Sequence, residues 1–212
     1  MAVAAQTLAI DNLSRRFGRH EVLQNFNLTL AEGERVALQG ANGSGKTTVI
    51  RCVAGTLTPT SGSVKVMGHS AGSFEAHRLT GTSLSQERSF YFRLSGRANL
   101  LFFARIRGYS NRECVRRVRA LEEELELTDI LAERVDRCST GMIQQLAFAR
   151  TLLPGPPLLL LDEPTRSLDT AAVARLWAAL DRRPESSVLI ATHLQADIEH
   201  CDRHVALSPP GS

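Results

Sequence analysis

A glycine-rich segment in the amino-terminal part of the chain constrains the fold most strongly. It runs from Gly40 to Thr48, reads GANGSGKTT and matches the pattern G-x-x-x-x-G-K-[ST]. Residues 35–38 before it have the pattern of a short strand, and residues 46–53 after it have the pattern of a helix, as this motif requires. Glycines let the backbone wrap closely around phosphate oxygens while successive N–H groups face inward. The sequence therefore predicts a phosphate-binding loop between a strand and a helix.

The side chains of this loop predict a nucleotide as its ligand. Lys46 places a positive charge where the β- and γ-phosphates would lie, and the Thr47 hydroxyl is a ligand suited to Mg²⁺. A chance glycine turn is the alternative, and the flanking strand and helix patterns argue against it. The predicted nucleotide-binding residues of the loop are Gly40, Asn42, Gly43, Ser44, Gly45, Lys46, Thr47 and Thr48.

A run of leucines that ends in two acids predicts the catalytic edge of a sheet. The segment LLLLDEPT, residues 158–165, has the apolar character of a buried strand and reaches Asp162 and Glu163 at its carboxyl end. Ligands bind at the carboxyl ends of parallel strands. We therefore expect Asp162 to hold Mg²⁺ through water and Glu163 to act as general base on the attacking water. Two solvated acids at a strand end are the alternative, and the phosphate-binding loop upstream favours a nucleoside triphosphatase.

Strand and helix patterns alternate along the chain and predict a mostly parallel sheet. We predict an α/β fold with a P-loop NTPase core, a small antiparallel β-subdomain and a helical insertion. The length of 212 residues suits a single domain over residues 1–212, with the insertion at about 86–150. Residues 97–125 have continuous helical spacing, and residues 138–150 predict a helix whose exposed amino-terminal N–H groups hold an anion.

Composition argues against several other classes of protein. The formal net charge of +3 is mild and the basic residues are mostly arginines, which does not favour a nucleic-acid partner. The sequence shows no signal peptide and no apolar stretch of bilayer-spanning length, so we expect a cytoplasmic location. The cysteines lack C-x-x-C spacing and are expected to be reduced thiols. The neighbouring His200, Cys201 and His204 lack an evident fourth metal ligand, which disfavours a metal site there.

Six segments of the sequence together resemble ABC-type ATPases. They are, in the order that this family shows, GANGSGKTT, LSQERSFY, CSTGM, LLLLDEPT, SLD and ATH. The resemblance extends over essentially the whole chain. It implies an ATPase that uses ATP and Mg²⁺, and that works with a second cassette and a membrane permease.

The resemblance also assigns roles to residues outside the phosphate-binding loop. Phe17 lies where the family places an aromatic residue on adenine, and Gln86 matches a glutamine that contacts Mg²⁺ or the water and senses the membrane partner. Asp169 matches a loop that crosses to the partner chain, and His193 matches the histidine that contacts the γ-phosphate. Without the family, a core position for Phe17 and a structural role for His193 are the alternatives.

The segment CSTGM matches the signature loop of the family, usually written L-S-G-G-Q. Ser139 and Gly141 are kept, while Thr140 replaces the first glycine and Met142 replaces the glutamine. This S-T-G-M form, like residues 87–109, resembles exporter ATPases that serve drugs, polysaccharides, lipids, haem or ions. The resemblance implies a head-to-tail dimer in which these four signature residues bind the γ-phosphate of the ATP held by the partner chain.

We therefore expect an ATP-binding and ATP-hydrolysing subunit, at the cytoplasmic face of the membrane, that powers export by a separate permease. We expect it to act as a homodimer or as one of two paired cassettes. A non-transport ABC ATPase acting on nucleic acid or ribosomes is one alternative, although such proteins usually carry long coiled coils or a second fused cassette. A regulatory nucleotide-binding module is the other, and the intact Lys46, Asp162, Glu163 and His193 argue against it.

Three consecutive aromatic residues follow Gln86 in the segment SFYFRL, residues 89–94. Consecutive side chains do not all face one core, so we expect some of Phe90, Tyr91 and Phe92 to be exposed and to dock the permease. Burial of two of them in the helical insertion is the alternative.

Overall fold

Two fully buried apolar strands lie in the middle of a parallel sheet in one part of this protein. The computed structural model describes residues 6–84 and 90–208, and the chain divides into two compact units. One unit comprises residues 1–84, 156–163 and 184–212, and the other comprises residues 85–155 and 164–183.

The first unit contains all the strands of the described residues. In chain order they are β1 (Gln6–Phe17), β2 (His20–Ala31), β3 (Arg35–Gln39), β4 (Ser61–Val66), β5 (His69–Ser70), β6 (Thr80–Ser83), β7 (Leu158–Asp162), β8 (Ser187–Thr192) and β9 (Arg203–Ala206). Its helices are α1 (Lys46–Val53), α2 (Phe74–Leu79) and a short helix after β8, at Gln195–Ile198.

The parallel sheet has the strand order β6-β7-β8-β3-β9, and every neighbouring pair is parallel. Every residue of β7 and β8 is buried, which explains why their sequences are nearly continuous apolar runs. The register pairs Asp162 with Ala191 and Gln39 with Thr192. The carboxyl ends of β3, β7 and β8 therefore meet at one edge of the sheet, where Gly40, Glu163 and His193 follow.

A second, antiparallel sheet has the strand order β2-β1-β4-β5. Buried side chains of β1, β2 and β4 join those of β3, α1, β7 and β8 in one hydrophobic core of this unit. That core includes Leu8 from the antiparallel sheet, Leu38 from the parallel sheet and Ile50 from α1. These two sheets confirm the predicted α/β class with a parallel core and a separate antiparallel sheet.

The second unit is helical. Its α-helices in chain order are α3 (Gly96–Ile106), α4 (Asn111–Leu125), α5 (Thr128–Ala132), α6 (Thr140–Leu152) and α7 (Thr170–Asp181), so the helix at Gln195–Ile198 is α8. No helix among residues 6–84 and 90–208 is long and apolar enough to cross a membrane.

The sequence predicted continuous helix over residues 97–125, and the structure divides it into α3 and α4. Gly108 adopts a left-handed φ of 86°, which ends the first helix. The Ser110 hydroxyl then accepts a hydrogen bond from the Glu113 N–H and caps the second. The helical spacing of apolar residues gave no sign of this break. The break between α3 and α4 is set by the glycine that ends the first helix and the serine that caps the second.

Candidate functional site

The glycine-rich loop encloses the Lys46 side chain. Its ammonium donates hydrogen bonds to the carbonyl oxygens of Gly40 and Ala41, at 2.6 and 3.1 Å. Gly43 and Gly45 have φ of 83° and 100°, a region that favours glycine. A Cβ on Gly45 would also lie 2.8 Å from a methyl carbon of Leu23. The positive φ therefore favours glycine at both positions, and the loop curves around a buried positive charge.

The amino-terminus of α1 has the features of an anion site. Gly45 is its N-cap and provides no side-chain acceptor, and the first turn contains no acidic residue. The N–H groups of a first helical turn have no partner within the helix. The Ser44 hydroxyl is buried and makes no hydrogen bond within the described part of the chain. Backbone N–H groups, a hydroxyl and an ammonium together suit the oxygens of a phosphate chain.

Thr47 and Asp162 meet although 115 residues separate them in sequence. The Thr47 hydroxyl lies 3.0 and 3.2 Å from the two carboxylate oxygens of Asp162. Asp162 ends β7 and is buried, while Thr47 lies in the first turn of α1. A hydroxyl and a carboxylate beside a phosphate loop form the oxygen donor set that Mg²⁺ takes in nucleotide sites, so these two residues fit the ion.

Glu163 and His193 are in direct contact at the same edge of the sheet. The Nδ1 atom of His193 lies 2.7 Å from an Oε atom of Glu163. The backbone N–H of Glu163 donates to the carbonyl of Ala191, which extends the β7–β8 pairing by one residue. Glu163 has a left-handed φ of 51°, a strained conformation for a side chain of this kind. The strand pairing therefore holds a carboxylate and an imidazole together next to the phosphate loop.

Exposure differs between these two side chains. Glu163 is buried, whereas the side chain of His193 is 43% exposed. A buried carboxylate in close contact with an imidazole nitrogen has restricted orientations, which suits a general base. The half-exposed imidazole of His193 is accessible to a ligand.

Phe17 lies at the end of β1 with 46% of its surface exposed, so it is not a core residue. The guanidinium carbon of Arg15 lies 4.5 Å from the centroid of its ring. Arg15 also donates a hydrogen bond to the carbonyl oxygen of Thr58, at 2.8 Å. One face of the aromatic ring is therefore supported by an anchored cation.

Residues 139–142 form the start of α6 in the helical unit. The Ser139 hydroxyl accepts a hydrogen bond from the Met142 N–H, at 3.2 Å, and caps the helix. Its own proton stays available for a second acceptor, because a hydroxyl both accepts and donates. The first turn contains no acidic residue, and Thr140 is exposed. A helix therefore begins where the sequence predicts one, and the binding of an anion at its start stays a prediction.

Asp169 has a local role that the sequence analysis missed. Its carboxylate accepts a hydrogen bond from the Ala172 N–H, at 2.7 Å, and caps α7. An aspartate directly before an apolar helical segment is a recognisable N-cap signal in a sequence.

The aromatic segment after the undescribed residues divides between core and surface. Phe90 is buried and packs edge-on against Phe103, 5.9 Å between ring centroids. Tyr91 is 50% exposed, and Phe92 is exposed as well. Gln86 lies outside the described residues, so its predicted contact with Mg²⁺ stays a prediction.

A buried amide organises this aromatic segment. The Asn99 side chain accepts from the Tyr91 N–H at 2.8 Å and donates to the carbonyl oxygens of Tyr91 and Ser95, at 3.1 and 3.0 Å. Asn99 is fully buried on α3. It therefore fixes the backbone that presents Tyr91 and Phe92 at the surface. An asparagine within an apolar helical run was the available sequence signal.

The neighbouring residues His200, Cys201 and His204 were considered as metal ligands in the sequence analysis. Within residues 6–84 and 90–208, no group of three His, Cys, Asp or Glu side chains has the arrangement to hold a metal ion. The Cys201 thiol donates to the carbonyl oxygen of Asp197, and burial raises the pKa of this thiol to about 12.

Comparison with known proteins was consistent with this geometry. A family model described as ABC transporter matches residues 23–166. The uncharacterized ABC transporter ATP-binding protein YxlF of Bacillus subtilis is 35% identical over 202 residues, which cover 94% of this chain and 67% of the relative. The bacitracin transport ATP-binding protein BcrA of Bacillus licheniformis is 33% identical over 208 residues, covering 94% of this chain and 66% of the relative. The chain thus spans about two thirds of the length of these curated relatives.

A solved structure described as the ATP binding subunit of an ABC transporter has the same fold. It superposes with a TM-score of 0.87 at 28% identity, over 95% of this chain and 86% of that structure.

Proposed function

We propose that this chain, which belongs to the ABC transporter family, hydrolyses ATP to power export through a separate membrane permease. As a member of this family, the chain is an ATP-binding cassette and an ATPase that works with separate membrane components.

The contact between Glu163 and His193 carries the proposal. In the proposed mechanism, Glu163 takes a proton from the water that attacks the γ-phosphorus. His193 contacts the γ-phosphate oxygens and keeps the Glu163 carboxylate in place. Lys46 exchanges its bonds to Gly40 and Ala41 for bonds to the β- and γ-phosphates. The positive charge then lies where negative charge accumulates as the terminal phosphate leaves.

Thr47 and Asp162 would hold the metal ion, with Gln86 as a further ligand. Mg²⁺ bound there would neutralise charge on the β- and γ-phosphate oxygens. The convergence of the Thr47 hydroxyl and the Asp162 carboxylate supports this assignment.

Residues Ser139 to Met142 would close the site of a second cassette, in a homodimer or a pair of related chains. The capped, acid-free start of α6 supports binding of the γ-phosphate held by the partner. Asp169 would also contribute to the contact with the second cassette, from the loop before α7, in addition to capping α7. We expect two nucleotides to be required for closure of such a head-to-tail dimer.

Tyr91 and Phe92 would dock the permease at the cytoplasmic face of the membrane. Their exposure, and the Asn99 bonds that hold their backbone, support this surface. Export is favoured by the S-T-G-M form of the signature, and the relative BcrA is named for bacitracin transport.

The proposal is tested by hydrolysis and binding measured on the same variants. Glu163→Gln removes the base and keeps the volume of the side chain, so phosphate release should fall by at least about a hundredfold. ATP affinity should stay near that of the wild-type chain, because the Lys46 loop is unchanged. Hydrolysis at the wild-type rate in Glu163→Gln would exclude Glu163 as the base.

A further inference from the structure

We infer that Asp197 and Thr192 are positioning residues that hold His193 in its place for hydrolysis. This inference rests on the proposed function, since it assumes that His193 acts at the γ-phosphate. Neither residue touches the reacting atoms. Their effect is on the backbone from which the imidazole projects.

Thr192, directly before His193, makes two side-chain hydrogen bonds to residues that follow His193. Its hydroxyl donates to an Oδ atom of Asp197 at 2.7 Å and accepts from the N–H of Leu194 at 3.0 Å. The side chain before His193 is thereby bonded to the peptide after it. Rotation of the backbone at His193 would break at least one of these two bonds.

Both groups of this pair are buried. Thr192 is fully buried at the end of β8, and Asp197 is 2% exposed on α8. Burial of a carboxylate costs free energy unless hydrogen bonds compensate for it. The loss of either partner therefore disturbs the local backbone, and the segment directly between the partners contains His193.

Further bonds tie Asp197 to its surroundings. Its backbone N–H donates to the carbonyl oxygen of Leu194 at 3.2 Å, and its carbonyl oxygen accepts from the His200 N–H at 3.3 Å and from the Cys201 thiol at 3.4 Å. The carboxylate thus projects from an anchored turn. The carboxylate of Asp197 is hydrogen-bonded to the Thr192 side chain, and Thr192 is the residue directly before His193.

The consequence for catalysis is geometric. The Nδ1 atom of His193 lies 2.7 Å from Glu163, and the imidazole is otherwise half exposed. Burial does not hold this side chain, so its position depends on its contact with Glu163 and on its backbone. A displacement of about 1 Å in a catalytic group can lower a rate by roughly a hundredfold. Thr192 and Asp197 limit that displacement.

Two deletions and two conservative variants test the inference. Asp197→Ala and Thr192→Val each remove the hydrogen bond, and we expect kcat for ATP hydrolysis to fall by at least about tenfold with KM for ATP within about twofold. Asp197→Asn keeps an acceptor oxygen and Thr192→Ser keeps the hydroxyl, so both should retain most of kcat. Thr192→Val also removes the bond from the Leu194 N–H, so it should be the slower single variant. The double variant Asp197→Ala/Thr192→Val should be no slower than Thr192→Val, because the bond between the two side chains is already lost there.

Ser186→Ala is the matched control for stability. Its buried hydroxyl donates to the carbonyl oxygen of Pro156 at 3.0 Å, next to the opposite end of β8. This variant should lower the melting temperature about as much as Thr192→Val and leave kcat unchanged. A general loss of stability would instead lower the activity of both variants together.

The outcomes separate this inference from the proposed function. If His193→Ala loses hydrolysis while Asp197→Ala and Thr192→Val keep wild-type kcat, the positioning role is wrong and the role of His193 stands. If His193→Ala itself keeps wild-type kcat, the proposed role of His193 is wrong. A loss of kcat in Asp197→Asn equal to that in Asp197→Ala would also overturn the inference, because the acceptor oxygen would then be irrelevant.

Discussion

A Cβ atom placed on Gly141 would lie 2.5 Å from the carbonyl oxygen of Ser167. The start of α6 therefore packs against the backbone of the loop before α7, and both lie in the helical unit. This distance is shorter than van der Waals contact, so only glycine fits without a shift of backbone. The predicted signature residue and the loop that carries Asp169 consequently share one packing contact.

The first prediction concerns Gly141. Gly141→Ala should displace the loop at Ser167 and reduce ATP-driven dimerisation, and Gly141→Asp should abolish dimerisation and hydrolysis because it adds a negative charge facing the partner's γ-phosphate. ATP affinity of the isolated chain should stay nearly intact, since the loop around Lys46 is untouched. Light scattering of the Glu163→Gln chain with ATP, with and without the Gly141 changes, measures the dimer. A large loss of ATP affinity in monomeric Gly141→Asp would argue that residues 138–142 act on their own chain.

Mixed dimers extend this test. Lys46→Ala chains mixed with Gly141→Asp chains form some dimers in which one site carries both defects and the other carries neither. Recovery of hydrolysis on mixing is therefore expected if the signature acts on the partner. Activity that stays at the level of the unmixed chains is expected if it acts within its own chain.

The second prediction concerns Lys46. Lys46→Ala should weaken ATP binding by at least about tenfold and abolish turnover, because a buried charged donor to the phosphates is lost. Lys65→Ala is the control, since Lys65 is an exposed lysine on β4. Calorimetric titration with ATP measures both variants. Equal affinities for the two variants would contradict the assignment of Lys46.

The third prediction concerns the adenine contact. Phe17→Ala should raise KM for ATP by about tenfold, the size expected for loss of one aromatic stacking partner of a base. KM for GTP should rise similarly, since stacking involves any purine face, and Phe17→Trp should retain affinity. Arg15→Ala should have a smaller effect of the same sign, because it removes the cation on the ring but leaves the ring. An unchanged KM in Phe17→Ala would place adenine elsewhere.

The fourth prediction concerns the permease surface. Tyr91→Glu should abolish co-purification of the membrane subunit with the tagged chain, because it places a charge on the proposed docking surface. Basal ATPase activity should survive, because Tyr91 is half exposed and its replacement leaves the core intact. Phe74→Glu is the control, since Phe74 is 71% exposed on α2 and is not part of the proposed surface. Equal capture of the membrane subunit by both variants would argue against docking at Tyr91.

The fifth prediction concerns the acid stability of the helical unit. Hydrogen bonds from the Arg183 guanidinium hold the pKa of the Glu124 carboxyl below its ordinary value of 4.5. A lowered folded-state pKa contributes stability that is fully present above the unfolded pKa and is lost as the pH falls below it. Glu124→Gln should therefore lower the free energy of unfolding by about 1 kcal/mol at neutral pH and by less in acid.

Glu123→Gln is the control for this measurement. Glu123 pairs with Arg119, and both side chains are largely exposed, so its loss should change stability little. Thermal unfolding of the two variants between pH 3 and pH 7, a range that extends to both sides of the ordinary glutamate pKa, distinguishes the contributions of the two ion pairs. Equal effects in the two variants would contradict the role of Arg183.

Local patterns were enough to predict the phosphate loop, the leucine strand with its two acids and the start of α6. Each of these features depends on neighbouring residues: glycines that permit positive φ at Gly43 and Gly45, an apolar run that fits a buried strand, and Ser139 as a helix cap. The same kind of reasoning missed β6, because its sequence TGTS has no apolar alternation and becomes a strand through its pairing with β7.

The distances within the site depended on tertiary structure. Thr47 meets Asp162, and Glu163 meets His193, because β3 and β7 both pair with β8 in a fixed parallel register. The bond between Thr192 and Asp197 and the approach of Gly141 to Ser167 likewise had no sequence pattern. A sequence pattern records the backbone preferences and polarity of neighbours. Contacts between distant residues are decided by strand order and packing, which only the folded chain contains.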